Sequence, residues 1–349
     1  MLRFYRKIRN DNAECRNARG RHAGLDPVSH GCCVDSVQGV VVIMKFIRSV
    51  PMTTSGLAIG LAALGNLLFL PFGAEVRYFC GILSALVLIV FALKIFLDFP
   101  HAREELKTPV PLSVLPTSTM TLMLLCTYIH PYASDVALYL WYAAILTHLG
   151  IMLLFFKRFI LGFKIDNVHP SWFVAFVGIV TVSVTAPVMG AHLVGQIAFY
   201  IGFILYFVAL SLIIYKLSKP IHILEPLRLT TAIFTAPMSL CIVGYFSSFE
   251  QRNEIFVYIM LSIAVISYLY VMTKILFNYL KIRFYPTYAA FTFPLVISAT
   301  AFKLGNSFLA EQGINFFAPV AQVSMWVAIV AVAYVFVHYI RFFRFVLKF

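Results

Sequence analysis

Apolar residues fill ten long runs of the chain after about residue 46, each close to 20 residues in length. A helix needs about 20 such residues to cross the hydrocarbon core of a bilayer. Since backbone amides in lipid must be paired within the segment, the runs predict an all-α membrane protein with ten transmembrane helices. The predicted spans are 51–70, 76–97, 113–131, 135–156, 170–188, 192–215, 228–247, 254–277, 286–305 and 318–340.

The predicted spans are of two kinds, which alternate along the chain. The odd-numbered spans hold 22 Ser and Thr residues and eight prolines, whereas the even-numbered spans hold 7 Ser and Thr residues and only Pro319. Hydroxyls and helix-breaking prolines are tolerated where neighbouring helices or water satisfy the freed backbone groups. The pattern therefore favours five helical hairpins in a quasi-five-fold ring, with the odd spans inside, around a central pore.

Hydroxyls and prolines of the odd spans are the candidates for lining and bending such a pore. The candidate lining residues are Thr54, Ser55, Thr119, Thr181, Thr185, Thr235, Ser239 and Ser298. The candidate helix kinks are Pro51, Pro116, Pro187, Pro237 and Pro294. For any single hydroxyl, tight helix packing is the preferred alternative, whereas the five-fold alternation as a whole favours the pore.

The distribution of charged residues mainly serves to predict the membrane topology. Only 12% of residues are charged, about half the share of a soluble protein, and the net charge is +13. No nucleic-acid partner is expected, because basic residues of membrane proteins collect in cytoplasmic loops. If the first span starts inside, the inner side holds 17 Lys and Arg residues and the outer side 3. This distribution predicts a multi-pass protein of the inner (plasma) membrane, with both termini cytoplasmic.

Residues 1–43 differ from the rest and form a basic N-terminal extension before the transmembrane domain at 44–349. The extension holds seven Lys and Arg residues, four acidic residues and turn-rich text. One interpretation is a disordered cytoplasmic tail. The preferred interpretation is that translation begins at Met44, because the extension shows no helical periodicity.

The predicted lining favours anions. The odd spans contain no Asp or Glu, although cation pathways and proton relays normally use buried carboxylates. Arg228 and Lys303 are candidate vestibule charges, although inner-side basic bias and a snorkelling lysine are the simpler explanations. His148, on an even span, is interpreted as a packed polar contact. Neither a phosphate-binding glycine motif nor a metal-ligand cluster occurs, so no cofactor, metal site or enzymatic activity is expected.

Five stretches of the odd spans carry a family resemblance. They are PMTTSGLAIGLAALGN at Pro51–Asn66, PTSTM at Pro116–Met120, HPSW at His169–Trp172, TAPMS at Thr235–Ser239 and AAFTFP at Ala289–Pro294. Together with ten spans and proline in every odd span, they resemble the tellurite-resistance/dicarboxylate transporter family, from about Phe46 to the C-terminus. That family includes TehA-like bacterial proteins, a yeast malate permease, fungal sulfite exporters and plant slow-type anion channels.

The resemblance implies a homotrimer in which each subunit passes small inorganic or dicarboxylate anions through its own curved pore. It also implies that one phenylalanine on the ninth helix closes the pore. Phe293, directly before the proline of TFP, is the matching residue, and Phe291 is the second candidate, although on a helix it points elsewhere. The alternative is a proton-coupled carrier or exporter of malate-type dicarboxylates, sulfite or tellurite. The channel is preferred, because no buried carboxylate supplies the coupling.

Overall fold

The structure, a computed structural model, describes residues 43–219 and 224–348, so the predictions for the N-terminal extension fall almost entirely outside the described residues. The α-helices after residue 50 are α1 (Thr54–Phe72), α2 (Ala74–Leu97), α3 (Phe99–Glu105), α4 (Pro109–Val114), α5 (Pro116–Ile129), α6 (Ser134–Phe155), α7 (Trp172–Val177), α8 (Val180–Thr185), α9 (His192–Leu217), α10 (Glu225–Arg228), α11 (Ala236–Ser248), α12 (Glu254–Phe277), α13 (Phe293–Glu311) and α14 (Ala318–Lys348). Residues 43–49 are also helical. A π-helical turn (Phe156–Ile160) follows α6, and 3₁₀ turns cover Ile165–Asn167, Leu229–Thr235, Tyr279–Lys281 and Pro286–Phe291.

Nine helical stretches of the described chain are long and apolar enough to cross a membrane. Four of them combine adjacent pieces: α4 with α5, α6 with the π-helical turn, α10 with α11 through the 3₁₀ turn Leu229–Thr235, and the 3₁₀ turn Pro286–Phe291 with α13. These nine stretches correspond to nine of the ten predicted spans. The chain is therefore an all-α, multi-pass membrane protein.

The fifth predicted span, 170–188, is not one continuous helix, and this corrects the prediction. It consists of two short helices, α7 and α8, which are separated at Gly178 and Ile179. Around this point Thr181 N donates to Gly178 O and Val182 N to Ile179 O, both over 3.0 Å. These bonds span three residues, as in a 3₁₀ turn. Glycine followed by a run of β-branched residues lowers helix propensity here, although all of 172–185 except Val174 and Val184 is buried.

Burial separates the spanning stretches into two groups. In the most apolar window of the stretches that match odd-numbered predicted spans, 72% to 83% of the residues are buried, against 28% to 33% in those that match even-numbered spans. We call the first group, together with α7–α8, the inner segments. The inner segments are α1, α4–α5, α7–α8, Leu229–Thr235 with α11, and Pro286–Phe291 with α13. The outer helices are α2, α6, α9, α12 and α14, whose exposed faces are apolar.

Contacts between the inner segments form a closed sequence. Helix α1 contacts α5, α5 contacts α8, α8 contacts α11, α11 contacts α13, and α13 contacts α1 again. Each inner segment also packs on the outer helix that follows it in the chain. The polar segments therefore face one another, and the apolar helices cover them.

Ion pairs join the helix ends near the start of α1. Lys94, near the end of α2, is 1% exposed and pairs with Glu105 of α3 over 2.6 Å. Arg48 pairs with the buried Asp98 over 3.5 Å. Because breaking a buried pair leaves an uncompensated charge, these contacts hold the residues before α1 against α2 and α3.

Candidate functional site

A cavity lies between the five inner segments, toward their N-terminal ends. Each segment contributes to its wall, for example through Gly56, Thr117, Gly178, Pro237 and Phe293. The cavity volume is about 60 Å³, within a total empty space of about 670 Å³ that includes the open mouth. The cavity is therefore narrow, and it follows the line along which the inner segments meet.

Among the described residues, the wall of the cavity is mainly apolar and includes no charged side chain. Its side-chain hydroxyls are those of Thr53, Thr117, Thr230 and Thr287. The first three bond to protein groups: Thr53 contacts Tyr339, Thr117 donates to Val114 O, and Thr230 donates to Leu227 O. The Thr287 hydroxyl has no partner within the described residues. The wall is thus mostly hydrocarbon, and its one hydroxyl without a described partner, that of Thr287, is itself buried.

Phe293 lies in the wall of this cavity as the first residue of α13, and it is 7% exposed. The preceding Thr292 has φ −80° and ψ −83°, outside the helical region, so the backbone turns immediately before the phenyl ring. Thr292 Oγ is 2.8 Å from Gly56 O and 2.7 Å from Ala289 O, so these two carbonyl oxygens share its single hydroxyl proton. These bonds fix the segment that carries Phe293 against α1.

Phe291 does not line the cavity. Its ring lies in a separate groove between α12 and α14, beside Tyr288, Leu295 and Trp326. The two phenylalanines are thus on opposite sides of the bend at Thr292. Of the two gate candidates, the structure places Phe293 at the cavity and Phe291 toward the outer helices.

The eight hydroxyl residues predicted to line a pore are absent from the cavity wall. All eight are at most 6% exposed and lie between helices; they are Thr54, Ser55, Thr119, Thr181, Thr185, Thr235, Ser239 and Ser298. Ser298 Oγ is 3.1 Å from Ser239 Oγ and donates to Thr235 O over 3.0 Å. Thr185 Oγ accepts from Trp141 Nε1 over 2.7 Å. Six of the eight have hydrogen-bond partners within the protein, as the packing alternative expects, whereas the Thr54 and Thr181 hydroxyls have none within the described residues.

The predicted kink prolines mark helix ends rather than bends inside helices. Pro116, Pro237 and Pro294 occupy one of the first two positions of α5, α11 and α13. Pro51 precedes α1, and Pro187 follows α8. Proline suits the first turn because its missing N–H would have no helical partner there. Three α-helices consequently begin at the cavity, since Thr117, Pro237 and Phe293 are wall residues.

Neither predicted vestibule charge lies in the cavity wall. Arg228 is exposed at the end of α10, and the half-buried Lys303 lies ten residues beyond Phe293, about 15 Å along α13.

His169, in the loop before α7, has its pKa lowered to about 4 by burial and by the nearby Lys216 charge. His169 is therefore neutral at physiological pH.

Sequence reasoning missed the residues that make the cavity. Its wall contains small residues, such as Gly56, Ala236, Ala289 and Ala290, which leave space between the inner segments. These small residues occur in AAFTFP and among the glycines of the first span, but the prediction considered only hydroxyl residues as lining candidates.

These observations define an all-α membrane protein in which buried, broken segments surround a narrow cavity. A family model for voltage-dependent anion channels (SLAC1) matches residues 47–340. The chain therefore belongs to the voltage-dependent anion channel family, which is the family that the sequence resemblance indicated. Members of this family are channels and transporters, which indicates anion channel or transporter activity. A search of curated proteins found no match.

Proposed function

We propose that the protein conducts small anions through a pore between the five inner segments, and that Phe293 is the gate. The observation that carries this proposal is the narrow cavity to which all five inner segments contribute and in whose wall Phe293 lies. An apolar ring at a narrow point excludes water and hydrated ions. Displacement of the Phe293 phenyl group would open the path for anions.

The electrostatics of the cavity support anions over cations. None of the described wall residues is acidic, so a cation would find no counter-charge among them. Helices α5, α11 and α13 begin at the cavity, and the N-terminal end of a helix carries partial positive charge. Basic residues concentrate on the side where the inner segments begin, which raises the local anion concentration at that mouth.

The cellular setting follows from the same features. Under the positive-inside rule, the N-terminal ends of the inner segments and the cavity mouth face the cytoplasm, and the protein lies in the inner (plasma) membrane. The apolar outer helices suit contact with lipid, and the family resemblance supports a homotrimer with one pore in each subunit.

Replacement of Phe293 tests the gate. We expect Phe293→Ala to increase anion conductance several-fold in planar bilayers, because truncation removes a neutral plug without adding charge. Chloride, nitrate, sulfite and malate should be compared by ion substitution on the purified protein. Phe291→Ala is the matched control, since it removes the same ring on the other side of the bend, and its conductance should stay near that of the native chain. Unchanged current in a well-folded Phe293→Ala protein would exclude Phe293 as the gate.

A coupled carrier is the second candidate, and the broken inner segments favour it. Secondary transporters commonly bind substrate at discontinuous helices near the bilayer midplane. A carrier for dicarboxylate, sulfite or tellurite coupled to protons would shift its reversal potential with the pH gradient. Reversal potentials that depend only on the anion gradient would support the channel.

A further inference from the structure

His148 is a titratable residue that the proposed conduction does not use. It lies in the middle of α6, an outer helix, yet its side chain is 0% exposed. Its Nδ1 atom is 2.8 Å from Thr119 Oγ on α5, so the ring points inward from the lipid-facing layer. Ionisable side chains within a membrane are costly and usually have a functional role.

The hydrogen bonds around Thr119 assign the tautomer of His148. Thr119 Oγ is 2.8 Å from Pro116 O, and a carbonyl oxygen can only accept. The single hydroxyl proton therefore satisfies Pro116 O, and Nδ1–H of His148 donates to Thr119 Oγ. This leaves a lone pair on Nε2, and Nε2 has no partner within the described residues. His148 is thus a buried base with one vacant position.

The ring of His148 lies against the wall of the cavity. A Cβ on Gly178 would be 3.1 Å from Cε1 of His148 and 2.9 Å from Sδ of Met120. Both Gly178 and Met120 line the cavity. The Gly178 backbone and the Met120 side chain therefore lie between the imidazole and the cavity.

We propose that His148 is a proton-binding site linked to the anion in the cavity, so that proton and anion stabilise each other. This inference rests on the proposed anion pathway and extends it. A proton on Nε2 would create a buried cation, which is unfavourable unless an opposite charge lies nearby. An anion in the cavity supplies that charge across the Gly178 backbone, and the imidazolium in turn attracts the anion.

Other titratable groups do not provide a competing counter-charge. Helix α6 packs against α4, α5, α7 and the turn Phe156–Ile160, and Trp141 joins it to α8, which contains no titratable residue. Helices α4 and α7 contain no titratable residue, and α5 contains Cys126 and Tyr128, which lie seven and nine residues beyond Thr119. The turn after α6 contains Lys157 and Arg158, both exposed.

Helix α6 itself carries three further titratable residues, Asp135, Tyr139 and Tyr142, and all three are exposed. Asp135 lies in the first turn of α6, 13 residues before His148. No carboxylate on these packed elements is therefore placed to neutralise a charged His148, which leaves an anion in the cavity as its counter-charge.

Reciprocal linkage gives the proposal two signatures. If protonation strengthens anion binding, anion binding must draw protons onto the protein by the same factor. Coupling between binding sites commonly amounts to about fivefold or more. We expect apparent chloride affinity to rise by about that factor as the pH is lowered, because the protonated imidazole attracts the anion.

The first measurement is proton uptake by the purified full-length protein in weakly buffered detergent solution. Sodium chloride is added, with sodium gluconate as the reference salt. The native chain should take up protons on chloride addition, and His148→Asn should not, because Asn Nδ2 keeps the bond to Thr119 but offers no titratable lone pair. His192→Asn, at an exposed histidine that begins α9, is the matched control and should behave as the native chain.

The second measurement is bilayer conductance against pH in the native and Phe293→Ala chains, each with and without His148→Asn. Loss of the acid-induced increase only with His148→Asn supports the proposal. Chloride current with the same pH dependence in His148→Asn and the native chain overturns it and leaves the proposed anion pathway intact. Proton uptake that depends on His148, without any current, supports the linked site and counts against conduction. If His148→Asn does not elute as a folded protein, His148→Gln replaces it.

Discussion

Gly60 lies on α1, where the start of α13 packs closely against it. A Cβ at this position would lie 2.5 Å from Thr292 Cβ and 3.1 Å from Phe293 N, closer than side chains pack. The backbone at the bend can therefore rest directly on α1 only because residue 60 has no side chain. This contact, with the Thr292 bonds, sets the position of the Phe293 ring.

Substitution of Gly60 tests this close approach. We expect Gly60→Ala to destabilise the protein by about 1–3 kcal/mol, the usual cost of overpacking a tight contact. Thermal unfolding in detergent, followed by intrinsic fluorescence, measures the change. Gly150→Ala is the control, because a Cβ there meets no atom within 4 Å. Equal unfolding temperatures for the two variants would show that α1 and α13 have room to separate.

The inner segments show which properties of an element can be predicted from sequence. Hydropathy together with Ser, Thr and Pro counts correctly separated buried from lipid-facing stretches, because burial is a property of a whole segment. The direction of a single side chain is not such a property. Thr185 bonds to Trp141, and Ser298 to Thr235, because the rotation of each helix, fixed only by its neighbours, turned these hydroxyls toward other helices. The break at Gly178 was missed for a similar reason, since a 3₁₀ turn leaves the apolar run unchanged.

Ser298, at the contact between α11 and α13, can show whether these hydroxyls hold helices together or line the anion pathway. We expect Ser298→Ala to cost about 0.6 kcal/mol, a typical value for an interhelical hydrogen bond in a membrane, and to leave anion selectivity unchanged. Thermal unfolding and ion-substitution currents test the two parts. Ser262→Ala is the control, because Ser262 is exposed on α12 and bonds only to Tyr258 O of its own helix. A change in relative anion permeability in Ser298→Ala would return this hydroxyl to the pathway.

At the scale of the whole molecule, basic residues and the cavity lie at the same ends of the inner segments. In the predicted topology 17 Lys and Arg residues fall on the side where these segments begin, and 3 on the other. The discontinuous fifth segment keeps this alternation, since α6 and α9 remain on either side of α7–α8 in the chain. If the segments begin in the cytoplasm, the basic surface faces the cytoplasm, the side from which anion export would start.

Cysteine accessibility in intact cells tests this orientation. The native Cys80, Cys126 and Cys241 are buried, so only Cys15, Cys32 and Cys33 need replacement by Ser before single cysteines are introduced. Tyr132→Cys, at the exposed turn between α5 and α6, should react with a membrane-impermeant maleimide added outside. Ser218→Cys, exposed just after α9, should react only after permeabilisation, because basic residues such as Lys216 and Lys219 hold that end inside. The opposite labelling order would place the cavity mouth outside the cell, and the basic surface would then attract anions for uptake.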